Sequence, residues 1–179
     1  MPTRQNITLQ GHHFNPLLTE PEILESIQTV AQRIDRDFEG KRPLFLVVLK
    51  GAYLFAAELT KQMELDVELE FIRAKSYEGT QTTGIINCSM GPLKVEGREV
   101  VIVEDIVDTG HTVEYLEAEL LKMGAKNVKI ATMFLKPEKY QKERTIDYVG
   151  REIPSEFVVG FGLDVDEYGR GLKELYIKA

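Results

Sequence analysis

Three observations predict an α/β fold for this chain, with a mainly parallel central sheet flanked by helices and a small hood lobe. Apolar runs rich in β-branched residues, at 44–49, 100–103 and 127–134, read as strands buried on both faces. Between them stand segments with apolar residues three or four apart, the pattern of helices that each cover one face of a sheet. Strand and helix alternate, and that order places strands in parallel through crossover connections.

The first helix is expected over residues 22–38, where Ile23, Ile27, Val30, Ala31 and Ile34 share a stripe and Gly40 closes the segment. Pro43 precedes the strand Leu44-Phe45-Leu46-Val47-Val48-Leu49; Lys50-Gly51 makes a tight turn, and a second helix follows over about 52–63. A third strand, with one face less buried, carries Val67, Leu69 and Phe71 between Glu68, Glu70 and Ile72. Residues 75–83 are polar and aperiodic and predict a mobile loop, with a short strand within 85–90 beyond it. The strand at 100–103 ends in Glu104 and Asp105, and Asp108-Thr109-Gly110-His111-Thr112 turns into a helix carrying Val113, Leu116, Leu120 and Met123 that stops at Gly124. The buried strand 127–134 delivers Lys136. After Pro137, short strands near 147–149, 157–160 and 174–177 are expected to pack as a hood over the site, joined by part of the N-terminus. No repeat or linker divides the 179 residues, so a single domain is expected, with its core over about 40–137.

Composition narrows the function classes. With 43% hydrophobic and 28% charged residues the chain is neither disordered nor membrane-embedded, and no apolar run is long enough to span a bilayer. Residues 1–10 hold one Arg and no apolar block, so no secretory signal is read and a cytoplasmic location is expected. Cys88, the single cysteine, can form no internal disulfide and has no Cys or His neighbours for a zinc set. A net charge of −7 argues against a general nucleic-acid surface.

Chemistry gathers at the carboxyl ends of strands, where open α/β sheets bind ligands. Lys50-Gly51, residues 104–112 and Lys136 occupy three such ends. Two carboxylates at a strand end can hold the vicinal hydroxyls of a ribose. The turn after them, with two threonine hydroxyls and successive N–H groups at a helix start, can cradle its 5′-phosphate. A sugar-phosphate site is the reading.

Val100-Val101-Ile102-Val103-Glu104-Asp105-Ile106-Val107-Asp108-Thr109-Gly110-His111-Thr112 matches at every position the thirteen-residue signature of the type I phosphoribosyltransferases: four apolar residues, two acids, two variable residues, then Asp-Thr-Gly-x-Thr. The chain resembles that family. It is further similar to the hypoxanthine-guanine branch in Leu49-Lys50-Gly51, in Arg73-Ala74-Lys75-Ser76-Tyr77, in Tyr148-Val149-Gly150 with Ile153-Pro154, and in Phe157-Val158-Val159-Gly160 with Leu163-Asp164. The resemblance implies a purine-salvage enzyme that transfers 5-phosphoribose from phosphoribosyl pyrophosphate to N9 of hypoxanthine or guanine, giving IMP or GMP and pyrophosphate.

The resemblance also implies roles for residues. Glu104 and Asp105 would hold the ribose diol and magnesium; Asp108 would face the purine N7 as the catalytic proton carrier; Thr109, Gly110, His111 and Thr112 would bind the 5′-phosphate together with Asp108's turn. Lys50 and Gly51 would form the pyrophosphate loop, preceded in the family by a cis peptide, with Arg170 as a further pyrophosphate contact. Lys136 would donate to the purine 6-oxo group, Tyr148, where Phe is frequent, would stack on the ring, and Val149 would meet the Watson–Crick edge through its backbone. Asp164 would be a second magnesium ligand, and Ser76 and Tyr77 would belong to a lid over 75–83. An acidic protein that binds an anionic donor at carboxylates needs a bridging divalent cation, so Mg2+ is the expected cofactor. The expected partners are phosphoribosyl pyrophosphate and a 6-oxopurine, with neither nucleic acid nor membrane, and the likeness implies a homodimer or homotetramer. Two rival readings are a transferase for xanthine, adenine, orotate or uracil, and an RNA-binding pyrimidine regulator of the same fold. Lys136 speaks against adenine, because an ammonium offers no acceptor to a 6-amino group. Asp108 and the acidic balance speak against RNA.

Overall fold

The computed structural model describes residues 5–73, 87–88 and 93–179. Strands β1 (Ile7–Leu9) and β2 (His12–Leu18) form an antiparallel hairpin, and helix α1 (Glu20–Asp37) leads to the first central strand, β3 (Leu44–Leu49). Helix α2 (Tyr53–Gln62), β4 (Glu68–Arg73), β5 (Asn87–Cys88), β6 (Glu99–Val107), α3 (His111–Lys122) and β7 (Asn127–Leu135) follow. The chain closes with β8 (Tyr148–Glu152), β9 (Val158–Val159) and β10 (Leu175–Lys178).

A six-stranded sheet in the order β5-β4-β3-β6-β7-β8 forms the centre, all its neighbours parallel except β5, which runs antiparallel to β4. Both faces are buried, as the unbroken apolar runs predict. Phe45, Val47, Val101 and Val103 pack on the α1 and α2 side, whereas Leu44, Leu46, Val48, Val100 and Ile102 pack on the α3 side. Each such side chain contributes roughly 1.5–3 kcal/mol of burial, and a one-residue slip would exchange the two faces of a strand.

Helix α1 begins earlier than its apolar stripe suggests. Thr19 caps it, Glu22 returns a bond to the Thr19 N–H (2.8 Å), and Pro21 fits the first turn, so Glu20 is already helical. Strand β6 is longer than its apolar run: Glu104 and Asp105 lie within it, and pairing with β7 continues to Val107 opposite Leu135. Gly110, at φ +83°, caps α3, and a Cβ there would lie 2.4 Å from the Tyr140 ring.

The short strand expected near 147–149 belongs to the central sheet rather than the hood. As β8 it runs parallel to β7, anchored where Asp147 Oδ2 accepts the Ile130 N–H (2.9 Å) and covered by α1. The hood is a second sheet, β1-β2-β10-β9, antiparallel throughout, so the N-terminal hairpin supplies half of its strands. Phe14, Val159, Val165 and Tyr176 form its apolar centre, while Val158, Phe161, Leu163 and Leu175 join the cluster under α1 and α2. The core also reaches past 40–137, since α1 and β8 share that cluster. Among the described residues, no helix is long and apolar enough to cross a membrane.

Candidate active site

Because β3, β6 and β7 are parallel, their carboxyl ends open on one edge of the sheet. From β3 the chain moves outward to β4 on one flank, and from β6 outward to β7 on the other, so the strand order reverses between β3 and β6. A crevice is expected at such a switch point. A cleft of about 200 Å³ lies there, lined by Val48, Lys50, Gly51, Glu104, Asp105 and Thr112. The peptide Leu49-Lys50 is cis. Gly51 presses on the acid pair: a Cβ at Gly51 would lie 1.4 Å from Asp105 Oδ2, and one at Gly162 would lie 2.1 Å from the Gly51 carbonyl oxygen. Strand end, acid pair and hood loop therefore touch.

Glu104 is 7% exposed. Its Oε1 accepts the Asp105 N–H (3.2 Å), and Asp105 Oδ1 accepts the Ile106 N–H (2.7 Å). Burial, and next the neighbouring Asp105 carboxylate, push Glu104 well above the usual carboxylate range; burial also raises Asp105. Neither forms an ion pair among the described residues with the cations nearby, and a pair so placed favours an added cation or a hydroxyl-rich ligand. No cluster of three or more His, Cys, Asp or Glu side chains closes on one point among the described residues. The donor set suits an ion held by one or two carboxylates and completed by substrate oxygens and water, the habit of Mg2+.

Past the acid pair, residues 108–112 wrap a cavity of about 100 Å³ at the start of α3, bounded by Glu104 and Val113. Thr109 Oγ1 and His111 Nδ1 lie 3.2 Å apart, and the first residues of α3 line the cavity at a helix start that has no side-chain cap. Such a helix start attracts an anion.

Asp108 stands beside Lys136. Lys136 is 5% exposed, its N–H bonds Val107 O (3.0 Å), and its Nζ lies 3.6 Å from Asp108 Oδ2. Burial pushes the Lys136 ammonium below the usual lysine range, with Asp108 acting in the opposite sense. On the hood side, Glu167 receives Lys50 on both carboxylate oxygens (3.0 Å each) and Arg170 at 3.2 Å; Arg170 also pairs with Asp164 at 2.8 Å. Asp164 Oδ2 accepts the Glu167 N–H at 2.8 Å. Lys50, Asp164 and Arg170 thus form one cluster above Gly51.

Residues 13–166 match the model of the phosphoribosyl transferase domain. The chain belongs to the phosphoribosyltransferase family. A hypoxanthine-guanine phosphoribosyltransferase of Lactococcus lactis subsp. lactis is 43% identical over 158 residues, covering 87% of this chain and 86% of the relative. One from Streptococcus thermophilus is 40% identical, covering 87% and 88%. Among solved structures, a hypoxanthine-guanine phosphoribosyltransferase from Bacillus anthracis with HEPES in its active site has a TM-score of 0.82 at 36% identity, covering 91% of this chain and 97% of that one. A hypoxanthine phosphoribosyltransferase from Staphylococcus aureus has a TM-score of 0.83 at 30% identity, covering 92% and 91%.

Two expected purine contacts are not brought to the site of this phosphoribosyltransferase. Tyr148 is 1% exposed, its hydroxyl bonds Asp37 Oδ2 (2.7 Å) and Lys129 Nζ (3.1 Å), and the Arg33 guanidinium covers its ring at 5.4 Å. It is a core residue under α1, with no ring face left for a base. Val149 pairs with Thr132, whereas Leu135, next to Lys136, pairs with Glu152, so Val149 stops roughly 10 Å short of the strand end. Ser76 and Tyr77 lie outside the described residues. A further aromatic stands on the hood. Phe157, 47% exposed, opens onto a hood cavity of about 390 Å³ shared with Asp164, and the adjoining Glu156 carboxylate is among the charges acting on Lys136. In the sequence it stands directly before two valines that are buried, within the Phe157-Val158-Val159-Gly160 likeness to the hypoxanthine-guanine branch.

Proposed function

We propose that this protein transfers 5-phosphoribose from phosphoribosyl pyrophosphate to N9 of hypoxanthine or guanine, yielding IMP or GMP and pyrophosphate in purine salvage. The carrying observation is the meeting of the acid pair, the 108–112 turn and the Lys50-Gly51 loop at the β3–β6 switch point. The enzymes named for this reaction among its relatives support the choice of base.

In this reading the 5′-phosphate docks in the turn at the α3 start, on Thr109, Gly110, His111 and Thr112, and the ribose diol lies on Glu104 and Asp105. The C1–O bond to pyrophosphate breaks while N9 forms a bond to C1. Positive charge that develops on the sugar is favoured by the two carboxylates beneath it. Lys50 and Arg170 take charge from the leaving pyrophosphate. Magnesium, held by Glu104 and Asp105 with Asp164 as a second holder, would neutralise part of that charge. Lys136 donates to the 6-oxo group, and Asp108 takes the proton displaced on the imidazole side of the base. Phe157 offers the ring an exposed aromatic face that Tyr148 lacks. Ser76 and Tyr77 keep their place as the lid, and the enzyme is read as a cytoplasmic homodimer or homotetramer. The deciding experiment supplies hypoxanthine, guanine, xanthine and adenine with phosphoribosyl pyrophosphate and Mg2+ and follows nucleotide formation. Product from hypoxanthine or guanine is expected; product from neither overturns the assignment.

A further inference from the structure

Asp108 meets two ammonium groups on one oxygen. Lys139 Nζ lies 3.3 Å from Oδ2 and Lys136 Nζ 3.6 Å from the same atom. The first is a hydrogen bond and the second is beyond reach of one. The other oxygen, Oδ1, is buried with no hydrogen-bond partner among the described residues. The two lysines differ in setting. The Lys136 side chain is 6% exposed, at the end of β7; that of Lys139 is 43% exposed, on a turn closed by its own N–H to Lys136 O (3.1 Å).

The proposed reaction asks Lys136 to donate to the 6-oxo group, and an ammonium that turns to the base leaves Asp108. A carboxylate with one buried, unpaired oxygen would then lose one of its two cations, a costly arrangement once water is excluded. Among the described residues, neighbouring groups offer no substitute. His111 Nδ1 is engaged with Thr109, Lys142 is paired with Glu114 at 2.7 Å, and Glu104, across the turn, is a carboxyl that can bring no positive charge. We infer that Lys139 is a positioning residue for the transfer: it holds Asp108 Oδ2 while Lys136 engages the base, and so keeps the carboxylate in place for the purine proton.

This inference rests on the proposed function, and a double-mutant cycle separates the two. Lys139→Ala should lower kcat about three- to fivefold, the scale of an ion pair at a half-exposed site, with KM for phosphoribosyl pyrophosphate unchanged within about twofold. Lys139→Arg should restore kcat to within about twofold of the wild type, since the guanidinium keeps the charge. In an Asp108→Asn background the Lys139→Ala change should cost nothing further, because the group it serves is gone. Equal losses in both backgrounds, or no loss in the single variant, overturn the inference alone. An Asp108→Asn enzyme as active as the wild type overturns it together with the role of Asp108.

Discussion

Gly51 and Asp105 show how little tolerance the site has at the residue scale. Adding one methyl group at Gly51 would place it 1.4 Å from a carboxylate oxygen, so loop or acid pair must move. Gly51→Ala should raise KM for phosphoribosyl pyrophosphate at least about tenfold, a loss equivalent to one or two good hydrogen bonds, while a change under about twofold would mean that the loop does not shape the donor site. Asp108→Asn should lower kcat by about 10² to 10⁴ if its carboxylate takes the proton, and a loss under about threefold removes it from the chemistry. Tyr148→Phe tests the corrected placement. It should cost about 1 to 3 kcal/mol in urea unfolding, for a hydroxyl shared with two charged groups, and leave KM for hypoxanthine unchanged. A clear rise in that KM would return Tyr148 to the base site. Asp108 could be singled out in the sequence because the turn that carries it, residues 108–112, is continuous in the chain. Tyr148 was not, because the groups that claim it, Asp37 and Lys129, stand 111 and 19 positions away.

At the scale of elements, the loop after β9 carries the cluster above Gly51. Asp166 (φ +50°) and Glu167 (φ +69°) both adopt the left-handed conformation that non-glycine residues avoid. That turn sets the Glu167 carboxylate between Lys50 and Arg170, the two cations assigned to pyrophosphate. Glu167→Gln should therefore strengthen product inhibition by pyrophosphate, by about two- to fivefold at low salt and less at high salt, because exposed pairs are weak and screened. Weaker inhibition would mean that Glu167 instead organises Arg170 for the ligand. The strand-turn-helix units of β3 with α2 and β6 with α3 were plain in the sequence, since period and turn chemistry agree within each. The hood hairpin was not. In β2, two histidines and Pro16 obscure any alternation, and the strand exists because β10, far along the chain, pairs with it. Strand β8 is legible as a strand, but its sheet is not, since nothing within five residues tells which neighbour a strand will take.

Across the whole molecule, α1 is tied to the sheet edge through Asp37, which joins Tyr148 and Lys129. The Tyr148 hydroxyl first, and Lys129 next, hold the Asp37 carboxyl below its ordinary value of 3.8. As pH falls below that value, the unfolded chain takes the proton before the folded one does, so this contribution is present above the ordinary value and is lost as pH falls through the lower native one. Asp37→Asn should flatten the fall in thermal midpoint between pH 5 and pH 2.5, and an unaltered slope would show that the tie adds nothing. The switch point itself belongs to this scale. It follows from β3 and β6 being neighbours with their crossovers leaving in opposite directions, which the pattern of residues implied only through alternation. The most direct test of the account is a calorimetric titration of phosphoribosyl pyrophosphate, with Mg2+, into the wild type and into a Glu104→Gln, Asp105→Asn variant that still folds. Saturable heat from the wild type and none from the variant is the predicted result; no heat from the wild type, or the same isotherm from both, would contradict it.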